Sequence, residues 1–122
     1  MTSANLSTPP KCTADVCLVP IGTLSPSVSK EIADVQRFLQ KSGLKFTMHS
    51  AGTTIEGSWD DVMKAIGQAH TLLHEKGIIR IQSDIRVGTR TDKVQSAEDK
   101  VAAVEKLLRE DADYEPGEAS YY

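Results

Sequence analysis

The nine residues 49–57 constrain the fold more than any other stretch, because they combine a tight turn with an extended run. Ala51-Gly52 separates two segments of strand character and predicts a hairpin. Thr53–Ile55 are β-branched in succession, which favours an extended backbone. Successive side chains of a strand point to opposite faces, so Ile55 in a core would place Glu56 on the far face. A solvated glutamate on an exposed sheet is the alternative interpretation.

The segments around this hairpin follow a strand–helix–strand order. We expect strands at 14–21, 45–50, 53–57 and 78–88, helices at 25–43 and 58–77, and a third helix that starts at Ser96. This order is the ferredoxin-like plan, in which right-handed crossovers place two helices on the same side of the sheet. The predicted fold class is therefore α+β: a ferredoxin-like βαββαβ antiparallel sheet with helices on one face, plus a C-terminal helix.

Capping signals and apolar stripes define the three predicted helices. Ser25-Pro26 predicts the start of the first helix and Gly43 its end. Ser58 begins the second helix and Ser96 the third, each with an aspartate three residues later. The predicted stripes are Val28, Ile32, Val35 and Leu39; Val62, Ile66, Ala69 and Leu73; and Ala97, Val101, Val104 and Leu108.

Composition divides the chain into a domain at 14–109, a disordered leader at 1–13 and an acidic, frayed tail at 110–122. The net charge of −3 does not indicate nucleic-acid binding. The sequence contains no signal peptide and no run long enough to cross a membrane. Cys12 and Cys17 predict neither a disulfide nor a metal site. We expect a cytoplasmic protein without a metal or other cofactor.

Strand alternation predicts a polar sheet face that the first two helices leave uncovered. Its members are Thr47, His49, Thr54, Glu56, Arg80, Gln82, Asp84 and Arg86, with Asp15, Cys17 and Val19 if Val16 and Leu18 face the helices. Such a face meets water or a second copy of the chain. The fourth strand, predicted to run over 78–88, is longer than a small sheet needs, which favours pairing between subunits.

Catalytic motifs are missing from the sequence, which favours a binding protein over an enzyme. His70 and His74 share a helix face, but we interpret them as histidines at the core edge or in solvent rather than as a metal pair. Arg86, Arg90 and Lys93 are candidates for anion binding, with a solvated basic loop as the alternative. An enzyme that uses Glu56 or His49 as a base and Arg90 as an anion clamp is the least favoured hypothesis.

Three blocks of sequence together resemble the thiamine-binding-protein-like family of small ferredoxin-like proteins, and its fungal "extracellular mutant" branch in particular. The blocks are Asp15–Thr23, His49–Gly57 followed by Trp59–Val62, and Arg80–Lys93 without residues 82 and 83. The resemblance covers about residues 14 to 109. Bacterial members of the family often have an acidic residue after the fourth strand, whereas Gly88-Thr89-Arg90 stands here. This loop is more basic and admits an anionic ligand.

The resemblance implies a homotetramer, built as a dimer of dimers, that binds thiamine or its hydroxymethylpyrimidine precursor at or near subunit interfaces. On this hypothesis the ligand-binding residues are Glu56, Thr54, Ser50, Thr23 and Asp84. A carboxylate satisfies the polar edge of an aminopyrimidine and offsets the charge of a thiazolium. The alternative is a structural or partner-binding oligomer without a small-molecule ligand.

Overall fold

A computed structural model of the chain describes residues 5–111 together with residues 113 and 115. Seven elements follow one another along the described residues: β1 (Cys12–Ile21), α1 (Ser29–Ser42), β2 (Lys45–His49), β3 (Gly52–Gly57), α2 (Trp59–Glu75), β4 (Arg80–Gly88) and α3 (Ala97–Arg109). No helix in this part of the chain combines the length and apolar character needed to cross a membrane.

The four strands form one antiparallel sheet in the order β2-β3-β1-β4. The side chains of α1 and α2 pack on one face of this sheet and share one core with it. This arrangement confirms the predicted ferredoxin-like α+β fold, and α3 confirms the additional C-terminal helix.

The core lies between α1, α2 and the inward side chains of the strands. Leu39, Val62, Leu73 and Ile55 are its most completely buried large side chains. Burial of such a side chain contributes roughly 1.5–3 kcal/mol to folding. In β1, Val16 and Leu18 are buried while their neighbours face the other side of the sheet, so the condition stated for the polar face in the sequence is met.

The first strand begins at Cys12, two residues before the predicted boundary at Ala14. Cys12 is only 5% exposed, so its side chain belongs to the core rather than to a leader. The preceding residues contact the start of α2: the Pro9 carbonyl accepts the Trp59 N–H at 3.3 Å, and the Thr8 hydroxyl donates to Asp60 at 2.7 Å. Residues 1–4 and most of the predicted acidic tail lie outside the described residues.

Helix α1 begins at Ser29, so the predicted start at Ser25-Pro26 is wrong. The Thr23 hydroxyl donates to the Ser25 carbonyl at 2.9 Å, and the Ser27 N–H donates to the Ser25 side chain at 3.2 Å. Such local side-chain bonds offer the backbone an alternative to the helix. Gly43 ends α1 with φ 78°, and the Ser58 and Ser96 side chains cap α2 and α3, as predicted. The capping box forms only at α3, with Asp99, and α2 ends at Glu75 with Lys76 rather than Gly77 as its C-cap.

Strand β4 begins at Arg80 rather than at the predicted Ile78. The Ile78 N–H donates to the Leu73 carbonyl at 3.2 Å, and the Ile78 carbonyl lies 2.8 Å from Nδ1 of His74. The end of α2 therefore occupies both backbone groups of Ile78. Ile79, which alternation predicted to face inward, is 93% exposed.

Candidate functional site

The polar face predicted from alternation exists, and the register of the strands sets its neighbours. Asp15 lies opposite Thr54 on one side and opposite Arg86 on the other. Cys17 lies opposite Asp84 in the next row. The face is therefore a mosaic of both charges rather than a surface of one sign.

Glu56 serves mainly to hold the start of α3. One carboxylate oxygen accepts the Ala97 N–H at 2.7 Å, and the other lies 3.5 Å from the Lys45 ammonium. The side chain is only 14% exposed. A carboxylate at a helix N-terminus satisfies an otherwise unpaired N–H and interacts favourably with the helix dipole. Two structural contacts therefore occupy the glutamate that we predicted as the central ligand group.

Lys45 extends this contact from the sheet to the first turn of α3. Its ammonium lies 2.6 Å from the Glu98 carboxylate, and this hydrogen bond lowers the pKa of Glu98. The same hydrogen bond raises the pKa of Lys45, with the nearby Glu56 charge as a further cause. We call Lys45, Glu56, Ala97 and Glu98 the α3 anchor.

A second polar group joins the start of the hairpin to the central strand. The Nε2 of His49 lies 2.5 Å from the Asp15 carboxylate, and Nδ1 accepts the Ala51 N–H at 3.2 Å. Because Nδ1 accepts, Nε2 carries the proton that it donates to Asp15. The Thr54 hydroxyl also points to Asp15 at 3.5 Å. Of the predicted ligand residues, this group includes Thr54 alone.

The remaining predicted ligand residues do not converge. The Thr23 hydroxyl is bonded within its own loop, Ser50 lies in the hairpin turn, and Asp84 is exposed on β4. Within the described ranges, no hydrogen bond or ion pair joins these three side chains to Glu56. The polar sheet face opposite α1 and α2, called the open face below, therefore does not bring the five predicted residues together into one site within a single chain.

In the basic loop after β4, Arg90 is paired with a carboxylate of the same loop. Arg90 donates to Asp92 through two nitrogens, at 2.7 and 2.5 Å, and also bonds the Gln95 side chain. This pairing lowers the pKa of Asp92 to about 2. Arg90 is therefore engaged inside the loop, whereas Arg86 and Lys93 of the predicted anion-binding set are exposed.

The two histidines of α2 also have protein partners. His70 lies 3.0 Å from the Ser83 hydroxyl, and His74 bonds the Ile78 carbonyl. No cluster of three or more metal-ligating side chains occurs among residues 5–111, 113 and 115.

A cavity of about 190 Å³ lies on the helix side of the sheet, between α1, α2 and the hairpin. Its walls are mainly apolar: Val16, Leu18, Val28, Ile32, Val35, Leu39, Ile55, Ala65, Ile66 and Ala69. Ser50 and Ala51 also line it and are exposed, so its mouth lies at the hairpin turn. Of the five ligand residues predicted from the sequence, only Ser50 lines this cavity.

Two polar residues in the cavity wall were missed in the sequence analysis. The Gln36 side-chain amide donates to the Thr53 hydroxyl at 2.9 Å, across the gap between α1 and β3. Thr53 shares the inward face of β3 with Ile55, so alternation could have identified it as a polar side chain in the core. Gln36 carries no comparable signal, because it adjoins the apolar stripe of α1 without belonging to it.

The fold and the cavity define a class: a small ferredoxin-like protein with an apolar, partly enclosed space under the hairpin. The sequence profile of the thiamine-binding protein family matches residues 14–105. The chain belongs to this family.

Relatives from fungi and bacteria support the assignment. UPF0045 protein ECM15 of Eremothecium gossypii is 56% identical over 94 residues, which cover 77% of this chain and 90% of that protein. A UPF0045 protein of Synechocystis is 46% identical and covers 77% of each chain. The similarity to the fungal protein confirms the resemblance to the "extracellular mutant" branch.

Solved structures share the fold. A hypothetical protein from Methanocaldococcus jannaschii superimposes with a TM-score of 0.70 at 32% identity, covering 80% of this chain and 99% of that one. A putative thiamine biosynthesis/salvage protein from Thermotoga maritima has a TM-score of 0.66 at 20% identity, covering 78% and 99% of the two chains. At that identity the second likeness shows the fold alone.

Proposed function

We propose that this protein binds thiamine or a related aminopyrimidine without transforming it, and that the pyrimidine ring occupies the cavity under the hairpin. The cavity, in a chain of the thiamine-binding protein family, is the observation that carries the proposal. Ligand sites in proteins are concave and mostly apolar, with a few polar groups that orient the ligand. The cavity has this composition, with Gln36 and Thr53 as inner polar groups and Ser50 at the mouth.

The size of the cavity determines which part of the ligand enters. Sites that enclose a whole drug-sized molecule measure roughly 300–1,000 Å³, whereas an apolar cavity of roughly 150 Å³ holds one benzene ring. A volume of about 190 Å³ therefore suits one substituted six-membered ring. The thiazolium of thiamine would remain outside, at the exposed turn of Ser50 and Ala51.

Isothermal titration with thiamine, hydroxymethylpyrimidine and thiamine phosphate tests this function. We expect saturable binding, and at least tenfold weaker binding by Ala69→Leu, because the added side chain fills the cavity from α2. Gln68→Leu is the control, since it adds a leucine to an exposed position of the same helix. Absence of heat with all three ligands from a folded protein would contradict the proposed function.

The open-face residues predicted from the sequence are a competing location for the same ligand. Glu56→Gln changes the α3 anchor but leaves the cavity wall intact. Loss of binding in Glu56→Gln, with full binding in Ala69→Leu, would move the site to the open face.

We further propose that the protein works as a homotetramer, a dimer of dimers, in the cytosol. An apolar row on α3 supports an oligomer: Val101, Val104, Leu107 and Leu108 are 58%, 56%, 65% and 42% exposed in the single chain. Two free cysteines suit a reducing compartment.

The exposed apolar row on α3 also favours a second candidate function, an oligomer that recognises a protein partner and has no small-molecule ligand. A stable oligomer that binds none of the three compounds would support this second function.

A further inference from the structure

We infer that Gln36 is the specificity-determining residue of the cavity and reads the amino group and adjacent ring nitrogen of a 4-aminopyrimidine. This inference rests on the proposed function, which supplies the class of ligand. It adds the residue that recognises the ring and the edge of the ring that is recognised.

Thr53 fixes one end of the Gln36 side chain. At 6% exposure, Thr53 is the one polar side chain in the core of the described residues. A buried hydroxyl without a partner is strongly unfavourable, and the Gln36 amide provides the partner at 2.9 Å. The bond restrains the glutamine amide before any ligand arrives. Restraint of this kind lowers the entropy that binding must remove.

Gln36 has hydrogen-bonding capacity beyond this contact. A glutamine amide offers two N–H donors and a carbonyl oxygen with two lone pairs, and the bond to Thr53 uses one donor. No buried side-chain nitrogen or oxygen of the described residues lacks a partner. The Gln36 carbonyl, which shows no bond among these residues, therefore lies on accessible surface, and Gln36 lines the cavity. One amide N–H and the carbonyl oxygen are left for a ligand.

An aminopyrimidine presents the complementary pair. Its amino group donates to the glutamine carbonyl, while the adjacent ring nitrogen accepts the remaining amide N–H. A site built to pair with a polar edge discriminates strongly against an analogue that lacks it, because the site's polar group is then left without a partner. The apolar walls bind the ring but do not discriminate between pyrimidines, so the specificity depends on Gln36.

The other polar residues around the cavity are less suited to this role. His49 uses Nδ1 for the Ala51 N–H and Nε2 for Asp15. Ser50 is exposed at the mouth, where water competes for its hydroxyl. Gln36 is the wall residue in the described chain that combines partial burial with an adjacent donor and acceptor.

A ligand–protein mutant cycle tests the inference. The ligands are 4-amino-5-hydroxymethyl-2-methylpyrimidine and its analogue without the amino group, and the proteins are the parent chain and Gln36→Met. We expect the parent to lose about tenfold in affinity when the amino group is removed, and Gln36→Met to lose less than about twofold. Gln40→Met, at an exposed position of the same helix, should behave as the parent does.

Three results are distinguishable. If the parent binds both ligands and Gln36→Met shows the same ratio as the parent, the role of Gln36 is overturned while the proposed function stands. If the parent binds neither pyrimidine nor thiamine, the proposed function itself has failed. If Gln36→Met does not fold because Thr53 loses its partner, Gln36→Met with Thr53→Val removes both polar groups and repeats the cycle.

Discussion

Gly52 shows how closely the hairpin approaches the central strand. A Cβ atom built at this position would lie 2.5 Å from the Val16 carbonyl oxygen, an overlap with backbone that no rotamer change relieves. The requirement is one of space, since Gly52 has no positive φ. The sequence predicted a turn at Ala51-Gly52. The structure adds that the second of these residues must be glycine, because its Cβ direction faces the backbone of β1.

We expect Gly52→Ala to destabilise the protein by about 1–3 kcal/mol, because the hairpin must move away from β1. Urea denaturation followed by circular dichroism measures the change. Gly67→Ala is the matched control: Gly67 lies within α2 with nothing near its Cβ direction, so this change should stabilise the helix by about 0.5–1 kcal/mol. A Gly52→Ala protein as stable as the parent would contradict the steric argument.

The residues of the cavity wall show which properties of a single residue strand alternation can predict. Alternation gives the face on which a side chain lies, so Glu56 and Thr54 were correctly assigned to the open face. It does not predict which residue of another element a side chain will contact, and those contacts determine what each side chain does in the structure. Glu56 holds the N-terminus of α3, and Thr53 pairs with a glutamine from another element, 17 positions away along the chain.

At the scale of elements, α3 differs from the other helices, because its start was predictable from the sequence but the surface next to it was not. Ser96 and Asp99 form the capping box that the sequence indicates, and the helix runs from Ala97 to Arg109. Its apolar stripe resembles that of a helix packed on a core, yet none of its residues is buried. Periodicity identifies an apolar face but not the surface against which that face packs.

We expect acid to loosen α3 before the sheet unfolds, since the α3 anchor is mostly ionic. The pKa of Glu98 is lowered by Lys45, and that of Asp99 by hydrogen bonds with Ser96. Carboxyl groups with a lowered pKa in the fold stabilise it at neutral pH and lose this contribution as pH falls through their folded-state values. NMR shifts of α3, followed from pH 7 to about pH 3, should therefore move toward coil values below about pH 4.

Glu98→Gln provides the control for this titration. The variant lacks the ion pair with Lys45 at every pH, so its α3 signals should change less with acid. If α3 and the sheet of the parent lose structure together at one pH, the anchor does not behave as a separate unit.

Local signals failed where two elements meet. Helix α1 starts three residues later than predicted, where serine side chains bond the backbone, and the end of α2 binds the backbone of Ile78, which therefore does not join β4. In both cases the periodic pattern continued through residues whose hydrogen bonds went elsewhere. The element order and the antiparallel plan were nevertheless predictable, because each depends on long stretches rather than on one boundary residue.

At the scale of the whole molecule, the exposed row on α3 predicts self-association. We expect Val104→Lys to convert the oligomer to smaller species, because it places a charge in the middle of the apolar row. Size-exclusion chromatography with light scattering gives the mass directly. Ala102→Lys adds the same charge to an exposed position on the opposite side of α3 and should leave the mass unchanged. A parent chain that elutes as a monomer would overturn the proposed tetramer.

The central position of β1 has a consequence for how the protein folds. Both of its partners come later in the chain: β3 pairs with its first half, and β4 pairs with it from Thr13 to Ile21. During synthesis one edge of β1 can pair once β3 has been made, but its other edge stays open until β4 follows, when most of the domain has been made. Contacts so distant along the chain slow folding and lengthen the time in which an unpaired strand is open to aggregation. The nascent protein should depend on chaperones most strongly in the interval before β4 leaves the ribosome.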